Sequence, residues 1–98
     1  MAKLSKEQVT QCVLEALAKA GGPALPADWR SLEAEARAQT PFDASKLTDR
    51  NRDEVIHALR NGLRSYAAYC PIDVTVLNKS ATVADLIAYV QASHQPIP

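Results

Sequence analysis

Residues 46–59, KLTDRNRDEVIHAL, lead from a polar connection into the longest amphipathic segment of the chain. Apolar side chains then recur at helical spacing, and the stripe expected to be buried comprises Val55, Ile56, Leu59, Leu63, Tyr66 and Cys70. We therefore predict a central helix that begins at Asp49 or Asn51 and ends at Tyr69. Gly62 within it costs about 1 kcal/mol relative to alanine, which indicates either a close helix contact or a weak point.

On the N-terminal side of this segment, the sequence predicts a capped first helix. Ser5 can accept hydrogen bonds from backbone amides, and Gln8 follows three residues later, which is the spacing of a capping box. Gly21 and Gly22 are expected to end the helix in a left-handed conformation, and Pro23 prevents the helix from resuming.

A second, shorter helix is predicted from about Asp28 to Gln39, after a loop that contains glycine and proline. Trp29 is expected to anchor this connection rather than to bind a ligand, because a single aromatic residue on a helical stripe usually packs inward. Thr40 ends the helix, since the residue before a proline avoids the helical region.

On the C-terminal side, residues 71–80 are predicted to form an irregular loop or a single helical turn, because a lone strand would leave its backbone groups unpaired. Thr82 and Asp85 have the spacing of a second capping box, which predicts the start of a final helix. Its apolar pattern fades, so residues 91–98 are expected to be a frayed tail. The chain is therefore expected to form a single all-α domain, residues 1–98.

Composition limits the classes of function. Eleven basic and eleven acidic residues give a net charge of zero, which disfavours a nucleic-acid partner. We expect a cytoplasmic protein without membrane contact, because no segment approaches the roughly 18 consecutive apolar residues of a membrane span and the first residues lack a signal sequence. Cys12 and Cys70 lie among apolar neighbours and are expected to be reduced thiols in the core.

Three segments together resemble the acyl carrier and peptidyl carrier protein family: SKEQVTQCVLEAL (5–17), TPFDASKLTDRNRDEVIHAL (40–59) and TVADLIAYVQASHQ (82–95). The resemblance covers nearly the whole chain. It implies a small four-helix bundle of acyl-carrier-protein type, with a long loop between helices 1 and 2 that carries the extra short helix. It also implies a role in fatty-acid, polyketide or peptide synthesis.

In that family, an Asp-Ser-Leu motif at the start of the second main helix carries 4'-phosphopantetheine on the serine hydroxyl. The resemblance aligns Phe42 and Leu47 with the two hydrophobic positions before the motif, with one extra residue between them. Arg50, Asn51 and Arg52 then stand in place of Asp-Ser-Leu. Asn51 is a good helix cap but has no hydroxyl for a phosphodiester, so no cofactor is expected. The alternative is a divergent carrier that is modified at Ser45 or Thr48.

The charge of the second main helix predicts the kind of partner. Family members usually present acidic residues there to basic enzymes, whereas this segment carries four arginines, Arg50, Arg52, Arg60 and Arg64. We expect these arginines to bind a protein partner with an acidic face, such as a biosynthetic enzyme. A second alternative is a small helical nucleic-acid-binding or adaptor domain that uses the same arginines.

Catalytic residues and metal ligands are not expected. His57 and His94 are far apart in the sequence, and neither they nor the two cysteines have the paired spacing of a zinc site. Cys70 lies 13 positions from His57, which is about 20 Å along a helix and too far for a thiolate and its base. The sequence therefore predicts a binding module rather than an enzyme.

Overall fold

The computed structural model describes residues 4–97, and helices occupy most of this part of the chain. Its helices are α1 (Lys6–Ala20), α2 (Ala34–Ala38), α3 (Asp49–Arg64), α4 (Val74–Lys79) and α5 (Val83–Ser93). Two short strands, β1 (Ala68–Tyr69) and β2 (Gln95–Pro96), form an antiparallel pair. The prediction of a mostly helical fold is confirmed.

Helix α1 begins as its sequence predicts. The Ser5 hydroxyl accepts from the Gln8 amide at 3.2 Å, and the Gln8 side chain accepts from the Ser5 amide at 3.0 Å. The expected left-handed end is wrong, because Gly21 caps the helix with φ −94°. A Cβ at Gly21 would lie 2.7 Å from Leu17 Cδ2, so glycine permits a close backbone approach there rather than a left-handed conformation.

Helix α3 is shorter than predicted, since it ends at Arg64 instead of Tyr69. Ala67 has φ 55°, a left-handed conformation that directs the chain out of the helix and into β1. Tyr66 is consequently exposed at 38% rather than part of the buried stripe, whereas Cys70 is buried beyond the end of the helix.

The segment predicted as one helix from Asp28 to Gln39 is interrupted. Trp29 begins a single 3₁₀ turn that ends at Ser31, and α2 follows it as a separate five-residue helix. Trp29 is buried, and its Nε1 donates to the Arg37 carbonyl oxygen at 3.2 Å. The anchoring role predicted for Trp29 is confirmed, and this hydrogen bond joins the turn to α2.

The C-terminal residues differ from the expected frayed tail. Helix α5 continues to Ser93, His94 is fully buried, and β2 pairs with β1. The His94 ring joins the end of α5 to the start of the described chain, because its Nε2 accepts from the Leu4 amide at 2.9 Å while its Nδ1 lies 2.7 Å from the Val90 carbonyl oxygen within α5. Pro98, the last residue of the predicted tail, lies outside the described residues.

The core lies around α1, which packs against α3 and against α5. Its fully buried large side chains include Leu17, Leu59, Leu63, Leu77 and Leu86. Both cysteines are free and buried, as predicted. Residues 71–80 were predicted as an irregular loop or a single helical turn, and they contain the six-residue helix α4, which is longer than one turn. Among residues 4–97, no helix has the length and apolar character needed to cross a bilayer.

Candidate functional site

The first turn of α3 is built around Thr48 rather than Asn51. Thr48 is the N-cap, and its hydroxyl oxygen accepts from the Asn51 amide at 3.1 Å. The same hydroxyl donates to the Asn51 side-chain oxygen at 2.8 Å. The sequence predicted that Asn51 would cap the helix, and this prediction is wrong. Asn51 lies one turn inside α3, because threonine three residues earlier already has extended backbone and a suitable oxygen.

Ser45 lies just before this turn, in a 3₁₀ turn formed by Ala44–Lys46. Its side chain is exposed, and its hydroxyl donates to Asp43 Oδ1 at 2.5 Å. The Ser45 amide donates to the same oxygen at 3.1 Å. These two bonds stabilise the charged carboxylate and hold the pKa of Asp43 below its ordinary value.

The two hydroxyls near the start of α3 therefore differ in their chemical availability. The Thr48 hydroxyl is used twice within the helix cap, so its modification would remove that cap. The Ser45 hydroxyl is solvent-accessible, and its one hydrogen bond in the described part of the chain is to the Asp43 carboxylate. Of the two fallback positions, Ser45 is the one whose hydroxyl lies outside the cap of α3.

The four arginines of the central segment do not form one continuous edge. Arg50 and Arg52 are two residues apart, so they point about 200° apart around the helix axis. The Arg50 side chain is 89% exposed and pairs with Glu54 at 3.2 Å, whereas the Arg52 side chain is only 19% exposed. Arg64 is exposed at the last turn of α3.

Arg52 and Arg60 instead connect α3 to neighbouring segments. Arg52 Nη1 contacts Asp49 at 3.0 Å, and its Nη2 donates to the Ala44 carbonyl oxygen at 2.9 Å. Arg60 Nη2 donates to the Ile72 carbonyl oxygen at 2.8 Å. These guanidinium groups hold the loops on either side of α3, a role for which the sequence gives no signal because the acceptors are backbone carbonyls.

The outer face of α3 comprises Arg50, Glu54, His57, Asn61 and Arg64, which are separated by four, three, four and three residues. This spacing places them in one line along the helix. All five side chains of this face are polar and exposed. The outer face therefore offers two guanidinium groups at opposite ends, about 21 Å apart along the axis at 1.5 Å per residue.

A cavity of about 390 Å³ lies beside Ser45, between the Ala44–Lys46 turn and the end of α4. Its lining includes Arg52, Asn78 and Lys79. The two sides are held together by main-chain bonds, since the Phe42 amide donates to the Ala81 carbonyl oxygen at 2.9 Å. Sequence reasoning missed Asn78 and Lys79, because more than 30 residues separate them from Ser45 and no local pattern joins them.

Residues 4–97 contain no group of three or more His, Cys, Asp and Glu side chains arranged to hold a metal ion. No family model matches this chain, and neither a curated protein nor a solved structure matches it.

Proposed function

We propose that this chain is a non-catalytic, acyl-carrier-like docking module that acts in fatty-acid, polyketide or peptide synthesis. In the proposed fold, α1, α3 and α5 are the three main helices of the carrier bundle and α4 is its short helix. The observation that supports this proposal best is the first turn of α3. There, Asn51 occupies the position that the resemblance assigns to the modified serine. Its backbone amide and its side-chain oxygen both form a hydrogen bond with the Thr48 hydroxyl.

The chemistry of this turn supports binding without a covalent cofactor. A phosphodiester to phosphopantetheine requires a hydroxyl oxygen, and the Asn51 side chain has no hydroxyl group. The neighbouring Thr48 hydroxyl both donates and accepts within the helix cap. The Thr48 hydroxyl therefore serves the helix cap, and Asn51 has no hydroxyl to modify, which supports a module that binds without a covalent cofactor.

The proposed docking surface is the outer face of α3. Arg50 and Arg64 supply its accessible positive charge, and they would meet acidic side chains on the partner. Arg52 and Arg60 act on this surface indirectly, because their hydrogen bonds to Ala44 and Ile72 fix the segments at the two ends of α3. Charges at the edge of an interface mainly raise the association rate and set the salt dependence of binding.

A second candidate function is a divergent carrier that is modified at Ser45. The specific observation in its favour is the 2.5 Å hydrogen bond from the exposed Ser45 hydroxyl to Asp43. In that case the phosphopantetheine arm would leave the protein beside Arg52 and Lys79, both of which line the adjacent cavity. The two candidates differ in one covalent bond, so an intact-mass measurement separates them.

The docking surface is tested by affinity capture from the source cells with three versions of the chain. The wild type, Arg64→Glu and the matched charge reversal Lys6→Glu on α1 are compared, because Lys6 is an exposed cation away from the outer face of α3. We expect Arg64→Glu to lose a biosynthetic enzyme that the other two versions retain. Equal recovery of the same enzyme by all three versions would exclude Arg64 from its binding surface.

A further inference from the structure

His94 is, apart from the two cysteines, the only ionisable side chain among residues 4–97 that is buried. We infer that it is an acid-sensitive latch: the neutral ring holds Leu4 against the end of α5, and proton uptake by the ring releases Leu4. This inference does not rest on the proposed docking function, since it concerns the two ends of the described chain and not the outer face of α3.

The two hydrogen bonds of the ring require its neutral form. The Val90 carbonyl oxygen can only accept, so Nδ1, which lies 2.7 Å from it, carries a proton. The Leu4 amide can only donate, so Nε2, which lies 2.9 Å from it, must offer a free electron pair. In a charged ring both nitrogens carry a proton, and Nε2 would direct an N–H group at the N–H group of Leu4. The charged ring therefore cannot keep its contact with Leu4.

The surroundings give a charged ring no compensation. The ring is fully buried, whereas every Asp and Glu side chain among residues 4–97 is exposed. A charge that is buried without a partner is strongly disfavoured. Proton uptake by His94 therefore requires the ring to leave its position and reach water.

The other ionisable groups on the elements around His94 leave it without an ion pair. Those that reach solvent are Lys6 and Glu7 at the start of α1, Arg64 at the end of α3, Tyr69 in β1, and Asp85 and Tyr89 in α5. The exception is Cys70, because the register of the strand pair, with Tyr69 opposite Gln95, places its buried thiol beside His94. Burial raises the pKa of Cys70 to about 11, so the thiol is neutral and cannot balance a positive ring.

The position of His94 in the chain limits what its movement can open. Helix α5 ends at Ser93 and β2 begins at Gln95, so a ring that turns out to water displaces the start of β2 and its pairing with Tyr69. The packing of α1 against α3 does not involve His94. We therefore expect acid to detach Leu4 and β2 while the core around α1 and α3 stays folded.

The expected size of the effect follows from the linkage between proton binding and opening. A histidine in water takes up its proton at about pH 6.5, whereas the closed latch excludes that proton. Each pH unit below this value then favours the open form about tenfold, and little changes above it. Lowering the pH from about 7.5 to about 5.5 should therefore raise the opening constant about tenfold.

The test is hydrogen exchange of the Leu4 amide in the full ¹⁵N-labelled chain at about pH 7.5 and about pH 5.5, at constant ionic strength. The measured rate, divided by the rate of a free amide at the same pH, yields the opening constant. We expect this constant to rise about tenfold at the lower pH for Leu4, and less than about twofold for Leu59 in the core. An equal rise at Leu59 would mean that acid unfolds the whole domain, which would overturn the inference.

Two variants make the test specific, since the chain has two histidines. His57→Gln removes the exposed histidine of α3 and should leave the rise at Leu4 intact. His94→Gln should abolish the rise, because glutamine keeps an acceptor for the Leu4 amide and a donor for the Val90 carbonyl oxygen but takes up no proton. A rise that persists in His94→Gln would overturn the inference.

A measurement on the wild type decides the question even if His94→Gln fails to fold. The ¹⁵N chemical shifts of the His94 ring report its tautomer and its charge. We expect the Nδ1–H tautomer at about pH 7.5, and a charged ring only where the Leu4 amide has lost its protection. An Nε2–H tautomer at about pH 7.5, or a charged ring beside a Leu4 amide that is still protected, would overturn the latch.

Discussion

Replacing His94 with alanine should destabilise the fold more than any other single change near the chain ends. His94 is fully buried, and its ring lies between the two termini of the described chain. The Val90 carbonyl oxygen can only accept, so Nδ1 carries the proton and Nε2 accepts from the Leu4 amide. Gln91 Nε2 also donates to the Leu4 carbonyl oxygen at 3.4 Å, so side chains at the end of α5 bind both the amide and the carbonyl group of Leu4.

The expected cost follows from these contacts. The two hydrogen bonds of the buried ring contribute about 1 kcal/mol each, and the cavity left by the ring adds about 1 kcal/mol or more. The sum of about 3 kcal/mol is a large fraction of the 5 to 15 kcal/mol, roughly, that stabilises a domain. For a chain of this length it corresponds to a fall in Tm of roughly 12 to 24 °C.

The measurement is urea-induced unfolding followed by circular dichroism, with His57→Ala as the matched control. His57 is exposed on α3, so its replacement should change the free energy of unfolding by less than about 0.5 kcal/mol. His94→Leu, which keeps an apolar volume but loses both hydrogen bonds, should fall between the two. If His94→Ala and His57→Ala unfold at the same urea concentration, the role assigned to the His94 ring is wrong.

Three further predictions concern the helices and the thiols. Gly62→Ala should stabilise the fold by up to about 1 kcal/mol, because its Cβ would meet the Cys12 side chain at an ordinary contact distance of 3.7 Å; thermal unfolding measures this, and a lower Tm would show that α1 and α3 cannot accommodate the methyl group. Thr48→Ala should cost about 1 kcal/mol and Thr48→Ser much less, since only the serine keeps a hydroxyl in the cap; equal unfolding free energies for the two variants would contradict the cap geometry. Burial raises the pKa of Cys70 to about 11, and burial followed by the Glu15 charge raises that of Cys12. Both thiols should thus react with iodoacetamide at pH 8 much more slowly in the native chain than in urea, and rapid native alkylation would show that the cysteines are accessible.

The starts of α1 and α5 could be predicted from the sequence because their signals are local. Both capping boxes, at Ser5 and at Thr82, need only two side chains three residues apart, and both are present in the structure. Trp29 was likewise predictable as a buried anchor from its place on an apolar stripe.

The helix ends were less predictable, because tertiary contacts decide them. Ala67 adopts a left-handed conformation, which an alanine gives no reason to expect. This conformation accompanies the pairing of β1 with residues near the C-terminus. For the same reason the apparent tail after residue 90 contains an ordered strand. Its order comes from His94 and from partners at the other end of the sequence.

The sequence predicted which segment the candidate site would occupy, but not how its side chains are arranged. The motif comparison led to the start of α3 and to Ser45, Thr48 and Asn51, which do lie close together in sequence and structure. It did not reveal that Arg52 is directed inwards or that Lys79 approaches from α4. Those features depend on how the segment at Phe42 is bonded to the segment at Ala81.

The most direct test of the proposed function is the intact mass of the purified chain after incubation with coenzyme A and a broad-specificity phosphopantetheinyl transferase. A known carrier protein in the same tube serves as the positive control. The proposal of a docking module with Asn51 at the attachment position predicts an unchanged mass while the control is fully modified. A gain of one phosphopantetheine group would contradict it, and fragmentation that places the group on Ser45 would establish the divergent carrier instead.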